Sequence, residues 1–436
     1  VDAQPLETIA DLTAAFARGD DTPAAALGRA LDRIEAHADL RAVVHVDRER
    51  AEDDAKASLE RYRRGAARPL EGVPVTVKDI VDLGGVPTRC GTQWLEAPPP
   101  AAADAAVVTR LRAAGAVVFA KTRLLEFAYG IVNPADGPVR NPHDLGKTSG
   151  GSSSGAAAGV AVGIGAAAVG TDTGGSIRIP AAYCGVWGLK PTYGRVPTQG
   201  VFPLSDSLDH VGPLARSAAD LLVAFTVMAG DPGAPARERP PRLGVLAGWG
   251  RDPARPEVRD AFHRAIDALR SAGVAVEAAT APALIGSEVA SGHLIAFEAT
   301  AIHAGFALRD KVRYAEGTLR QLRGGEAVTE DDIRAARACQ DAVRASVDRA
   351  LADVDALVTV TAPWTAPEED PPIDAPEGEE EGWYTHPYNL SGHPALSLPL
   401  PRGEGLPIGL QLVGRHGEDA ALIRTGEWLA RALAGT

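Results

Sequence analysis

The chain has 436 residues, 45% of them hydrophobic and 23% charged, a composition that suits a folded globular protein and excludes disordered, collagen-like and coiled-coil chains. Lysine and arginine number 44 against 57 acidic residues, a formal charge of −13, so most of the surface repels phosphate backbones and direct nucleic-acid binding is not expected. Three scattered cysteines, Cys90, Cys184 and Cys339, make neither a disulfide framework nor a zinc knuckle, and residues 1–6 carry acidic Asp2 without a basic flank or apolar run, so a cytoplasmic protein with no visible leader is expected.

Residues 8–64 read as helices. Ile9, Leu12, Ala15 and Phe16 recur at helical spacing, and Thr22 is placed to cap a second helix starting on Pro23, where the missing N–H costs nothing. The segment 1–65 is expected to pack on a core that runs through 66–436 as one continuous domain. From Leu70 onward β-rich runs at 73–77, 117–120 and 356–360 alternate with helical stretches such as 105–114, which predicts an α/β sheet. Residues 137–200 are dense in glycine, serine and threonine, so the backbone there bends sharply or approaches something closely. Within them the uncharged run 155–170, built of Ala, Gly and Val, is too short and too weakly apolar for a bilayer and reads as a buried small-residue helix. A proline-rich connector at 230–241 precedes a strand at 243–246 and helices at 256–272 and 330–352. The acidic, proline-rich segment 368–381 (EEDPPIDAPEGEEE) reads as a loop, either solvated surface or the rim of a site.

Several short motifs fail on their context. Gly146-Lys147-Thr148 lacks the glycine that a phosphate loop needs at 141, where Asn141 stands. Residues 151–155 match the Gly-x-Ser-x-Gly elbow with Ser153 as nucleophile, but the elbow needs a strand directly before it and 141–150 (NPHDLGKTSG) does not read as one. His143, His210, His386 and His393 are isolated, so neither a metal nor another cofactor is expected. A larger constellation carries more chemistry: a lysine ending an apolar strand in Val75-Thr76-Val77-Lys78-Asp79, the Gly/Ser run 150–155, and 170–178 (GTDTGGSIR). Burial that lowers a lysine pKa by about 3 units costs the ammonium roughly 4 kcal/mol and yields a neutral base, which can replace histidine in activating a serine. Consecutive N–H groups at Thr173, Gly174, Gly175 and Ser176 can form a nest for an oxyanion. Spacing alone equally allows an ordinary snorkelling lysine and a tight turn.

The stretch 148–191 (TSGGSSSGAAAGVAVGIGAAAVGTDTGGSIRIPAAYCGVWGLKP) resembles the signature of the amidase signature family, the Ser-Ser-Lys hydrolases. The resemblance extends through 70–82 (LEGVPVTVKDIVD), 120–130, 206–216, 356–363 and 388–414. It implies a single large α/β domain with a central twisted mixed β-sheet flanked by helices and the active site on loops at its edge. By that resemblance Lys78 is the catalytic lysine, Ser152 a bridging serine entered through a cis peptide bond, and Ser176 the acyl nucleophile. Thr173, Gly174, Gly175 and the Ser176 amide are then the oxyanion donors. Phe127, Ala128 and Tyr129, with Trp364, are expected at a partly apolar pocket for an aryl or medium alkyl amide, carbamate or ester. Arg178 is expected to be structural and Cys184 to pack. Ser149 and Ser154 stand where many relatives carry Pro and Gly, which leaves pocket detail open. The implied activity is hydrolysis of a linear carbon–nitrogen bond through an acyl-enzyme on a small-molecule substrate, without membrane attachment and with a homodimer allowed. Two alternatives stand beside it: the glutaminase component (the A polypeptide) of a tRNA-dependent amidotransferase, and a catalytically silent binding protein on the same scaffold, against which the intact Lys78, Ser152 and Ser176 speak.

Overall fold

The N-terminal helix Ile9–Arg18 starts at a reciprocal cap in which Thr8 Oγ1 accepts the Asp11 amide and Asp11 accepts the Thr8 amide, and it ends on left-handed Gly19. Thr22 Oγ1 caps Pro23–Ala36 by accepting the Ala25 amide, with Pro23 in the first turn. The computed structural model describes residues 6–246, 252–372, 375–401 and 405–435. The N-terminal segment is not wholly helical: the valine-rich run Val43–Val46 is a strand, β1, before helix Arg48–Arg63. β-branched side chains favour that pleat, and the edge position is open for it.

Eleven described strands form one mixed sheet. After β1 they are β2 Pro74–Lys78, β3 Val117–Thr122, β4 Ala167–Asp172, β5 Trp187–Lys190, β6 His210–Ala215, β7 Arg242–Leu246, β8 Ala275–Ala279, β9 Ala356–Val360, β10 Ala395–Pro399 and β11 Gly409–Val413. Their order across the sheet is β1-β3-β2-β4-β6-β5-β10-β11-β9-β7-β8. β2 lies parallel to both β3 and β4, and every residue of it is buried. A parallel central strand has both faces covered, which is why 74–78 reads as a continuous apolar run up to its lysine. β10 and β11 form an antiparallel hairpin, and β7 pairs in parallel with β8 and β9.

The alanine-rich run departs from the expected single helix. Helix Ser154–Ala161 stops, and β4 begins at Ala167. Gly163, at φ 77°, turns the chain between them, and burial between β2 and β6 selects strand for a segment whose periodicity is ambiguous. The small residues serve close packing: a Cβ at Gly155 would stand 2.2 Å from the Ala42 carbonyl oxygen and 2.7 Å from the Arg123 amide. Residues 141–150 also differ from expectation, since Asp144–Thr148 pairs with Arg140–Asn141 in a small antiparallel hairpin. The acidic segment is only partly loop, because Pro376–Glu381 forms a short helix. One hydrophobic cluster joins Ile9, Leu12 and Phe16 to Val75 and Val77 of β2. No described helix is long and apolar enough to cross a membrane.

Candidate active site

Lys78 closes β2 at its carboxyl end, and Asp172 closes β4 beside it. The crevice beyond the carboxyl ends of parallel strands is where α/β sheets hold their sites. Lys78 is fully buried, and its Nζ donates to Ser152 Oγ at 2.7 Å and lies 2.7 Å from Thr171 Oγ1. Burial brings its pKa down from 10.5 to about 7, although Asp172, Asp209 and Cys90 pull the other way. The contrast lies one strand over. Buried Lys121 on β3 sits 2.6 Å from Asp79 Oδ1 and has that carboxylate as its partner. Among the described residues only hydroxyls hydrogen-bond to the Lys78 amine, so loss of its proton answers the desolvation cost.

Ser152 precedes helix Ser154–Ala161, is buried, and follows a cis peptide bond from Gly151. A Cβ on Gly151 would stand 2.2 Å from Leu125 Cδ1, so only glycine fits against that side chain. Ser153 faces away from the cavity: its Oγ donates to the Thr171 carbonyl at 3.1 Å and accepts the Thr171 amide at 3.2 Å. That double bond to the backbone makes Ser153 a splint for β4 and leaves it no role as an elbow nucleophile. Ser176 sits in the turn between β4 and helix Arg178–Cys184 and lines one cavity with Ser152.

The turn 172–176 is fixed by its carbonyls. Asn389 Nδ2 donates to the Asp172 carbonyl at 2.9 Å, Thr385 Oγ1 to the Gly174 carbonyl at 2.6 Å, and the Ile179 amide to the Gly175 carbonyl at 2.8 Å. In a trans peptide the N–H points opposite the C=O, so these bonds aim the N–H groups of Thr173, Gly175 and Ser176 away from the protein partners. Gly175 has φ 141°, and a Cβ there would meet Thr385 Oγ1 at 2.4 Å; at Gly174 it would meet His386 at 2.6 Å. Thr173 Oγ1 donates to Asp209 at 2.5 Å.

Beneath the turn lies a buried ion pair that single motifs do not reveal. Arg178 Nε and Nη2 each donate to the Asp172 carboxylate at 2.9 Å, and Asn389 Nδ2 adds a bond at 2.8 Å. Burial alone would raise the Asp172 carboxyl, but Arg178, Lys190 and Asn389 outweigh it and hold it well below the usual carboxylate range. Arg178 also donates to the Thr385 carbonyl at 3.0 Å and to Gln411 Oε1 at 2.8 Å. Its guanidinium is therefore consumed by the scaffold. Sequence reasoning missed Thr171, Asp172, Asp209, Thr385, Asn389 and Gln411; the signal available was the charged Asp172 and Arg178 inside an otherwise uncharged run.

The cavity, of about 480 Å³, has the size of a small-molecule site. Thr173, Gly174 and Gly175 line it, as do Ala128 and Tyr129. Phe127 and Trp364, expected at the pocket, stand behind its wall. Phe127 and Ala128 both have left-handed φ, 51° and 60°, and this twist turns the Phe127 ring onto Phe202, His303 and Tyr314. Trp364 packs with Ile179 and Tyr183, and the Arg255 guanidinium lies 5.3 Å over its ring. Cys184 is buried, and its Sγ contacts the Ser149 carbonyl at 3.6 Å. The described residues that bring three potential metal ligands together are Asp348, His393 and His416, with ligand atoms within 4.8 Å of one another; none of them lines this cavity.

The sequence profile of the Amidase family matches residues 25–423. The chain is 35% identical over 416 residues to AtzE of Pseudomonas sp. (strain ADP), a component of 1-carboxybiuret hydrolase, covering 88% of this chain and 89% of that protein. It is also 35% identical over 470 residues to the A polypeptide of glutamyl-tRNA(Gln) amidotransferase from Roseiflexus sp. (strain RS-1), covering 96% of this chain and 95% of the relative. A crystal structure of an amidase superposes with a TM-score of 0.90 at 40% identity, over 98% of this chain and 100% of the other. Profile, sequence relatives and three-dimensional likeness agree across nearly the whole length, and the chain belongs to the amidase signature family of amidohydrolases, which act on carbon–nitrogen bonds.

Proposed function

We propose that this amidase cleaves a linear amide through Lys78, Ser152 and Ser176, by way of an acyl-enzyme on Ser176. The observation that carries the reading is the Lys78 amine, buried, 2.7 Å from the Ser152 hydroxyl and with a pKa brought down to about 7. At neutral pH a large fraction of that amine has a free lone pair. Lys78 takes the Ser152 proton, Ser152 takes the Ser176 proton, and Ser176 Oγ attacks the amide carbon. The oxyanion is received by N–H groups of the 173–176 turn. Return of the proton through Ser152 to the leaving nitrogen releases the amine, and water then attacks the acyl ester by the same relay, so amide and water give acid and amine. Carbamates and esters present the same carbonyl and fit the same steps.

Reaction with a fluorophosphonate followed by peptide mapping tests the assignment, with the adduct expected on Ser176. Ser176→Ala should reduce turnover to background. Ser153→Ala should keep the relay and most activity while costing about 1–3 kcal/mol of stability, because it leaves the Thr171 backbone partly unpaired. An adduct on Ser153, or the reverse pattern of activities, refutes the assignment. Likeness to the amidotransferase polypeptide keeps glutamine as one substrate to assay, without a partner protein, beside aryl and alkyl amides.

A further inference from the structure

The cavity that holds Ser152 and Ser176 is acidic on one side. Asp370, Glu379 and Glu381 line it from the segment after β9 and Glu288 from helix Ser287–Gly305, and among its described lining residues there is no lysine or arginine. Asp370 accepts a bond from Thr148 Oγ1 at 2.9 Å, and Glu381 one from the Tyr183 hydroxyl at 2.8 Å, so both carboxyls lean on neutral hydroxyls. The charges that act on them are other carboxylates, Glu369 on Asp370 and Asp370 on Glu381. Loss of water contact is the main cause, and this repulsion the second, that pushes Asp370 up to about 6 and Glu381 up to about 8. Half-buried carboxyls without a cation are costly to keep ionised; buried Asp172 and Asp79 have Arg178 and Lys121 beside them, and Asp370 and Glu381 have no such partner among the described residues.

An independent feature points the same way. Gln321, on helix Glu316–Gly325, lines the same cavity, and both its amide oxygen and its amide nitrogen are buried without a hydrogen-bond partner among the described residues. Buried polar atoms are almost always paired, so an amide left open at a substrate cavity calls for a polar group from the ligand. The other titratable side chains of the described wall are Tyr129, His293 and His386; burial pushes the Tyr129 phenol up, so it stays protonated, and brings His386 down to about 4, so it is uncharged at neutral pH and does not offset the acids.

We propose that Asp370 and Glu381 form a cation subsite, so that the preferred substrates are amides carrying an ammonium, amidinium or guanidinium group, with Gln321 as a further hydrogen-bonding partner. The inference rests on the amidase reading above and names its substrate class. Like-charge repulsion in the same wall disfavours amides that carry a carboxylate.

Two matched series test it. One places the charge on the acyl half, in the anilides of 5-aminopentanoate, hexanoate and adipate. The other places it on the amine half, in the benzoyl amides of 1,4-diaminobutane, pentylamine and 5-aminopentanoate. In at least one series kcat/KM for the cationic member should exceed that of the neutral one by about tenfold or more, with the anionic member slowest. Glu381→Gln and Asp370→Asn should each shrink the cationic-to-neutral ratio. Preference for neutral or anionic members in both series, or a ratio unchanged in both variants, overturns the subsite. Competition on the unaltered enzyme needs no variant: butylammonium should inhibit and butyrate should not, and the opposite order counts against the proposal. If Ser176 takes the fluorophosphonate and the neutral amide is hydrolysed without a charge preference, the subsite alone fails. If no amide of any charge is cleaved and Ser176 does not react, the amidase reading fails and the subsite falls with it.

Discussion

Two buried lysines on neighbouring strands illustrate how burial alone does not make a base. Lys121 has Asp79 Oδ1 at 2.6 Å as an ion-pair partner, while among the described residues Lys78 hydrogen-bonds only to the Ser152 and Thr171 hydroxyls. For a base, burial without a counter-charge favours the neutral form, so the Lys78 pKa falls to about 7. With Lys78 as the proposed base, the amine should be competent above that pKa and idle below it. Acylation rates should fall about tenfold per pH unit below pH 7, measured as kcat/KM for a neutral amide whose own charge does not change. A rate that stays flat to pH 5 would mean that this amine is not the base. The lysine at the end of an apolar strand was legible in the sequence; that no carboxylate reaches it was not, because Asp79, Asp172 and Asp209 all lie near enough in chain or space to have done so.

At the scale of the element, the turn from β4 into helix Arg178–Cys184 shows what the glycines of Gly-Gly-Ser are for. Gly175 combines φ 141° with a Cβ position 2.4 Å from Thr385 Oγ1, so alanine there strains the backbone and pushes the threonine off the Gly174 carbonyl. That carbonyl bond orients the Gly175 N–H, one of the proposed oxyanion donors. Gly175→Ala should therefore lower kcat on the order of 100-fold, close to the loss of one oxyanion donor, while a substrate-sized inhibitor that forms no oxyanion keeps much of its affinity. Inhibition and turnover constants measured on one preparation separate the two. The same element exposes a limit of pattern reading. The run 155–170 has helix-compatible composition throughout, yet its second part becomes a central strand, because only the neighbouring strands β2 and β6 distinguish a buried strand from a buried helix.

For the molecule as a whole, Arg178 is the joint that ties distant parts of the chain to the catalytic turn. It reaches Asp172 six residues away, Thr385 across 207 and Gln411 on β11 across 233. Breaking such a pair leaves Asp172 charged and buried, so Arg178→Met should cost about 3–5 kcal/mol, read as a lower denaturation midpoint, and should impair turnover through the displaced turn. A midpoint equal to the parent's would show that the pair does not hold the fold together. The alternation of strands with helices after Leu70, the acidic net charge and the Lys-Ser-Ser spacing were readable from the chain, since each depends on residues close in sequence or on bulk composition. The edge strand Val43–Val46 was hidden in a helical stretch, because an edge strand of four residues leaves too short a signal to outweigh its helical flanks.

The amino-acid order on its own pointed to the residues proposed to carry the chemistry, because motif spacing and glycine placement are local properties that the chain holds before it folds. Only the tertiary structure decided that Phe127 and Trp364 pack behind the pocket while Ala128 and Tyr129 face it, and that Ser153 is bonded into β4. It also chose between the two readings of the acidic segment, solvated surface or rim of a site, by placing Asp370 and Glu381 in the cavity wall against Thr148 and Tyr183. The physical reason is shared by all of these. Each depends on contacts between residues far apart in the chain, and the strand order that brings them together is set by burial of the whole sheet and not by any one segment.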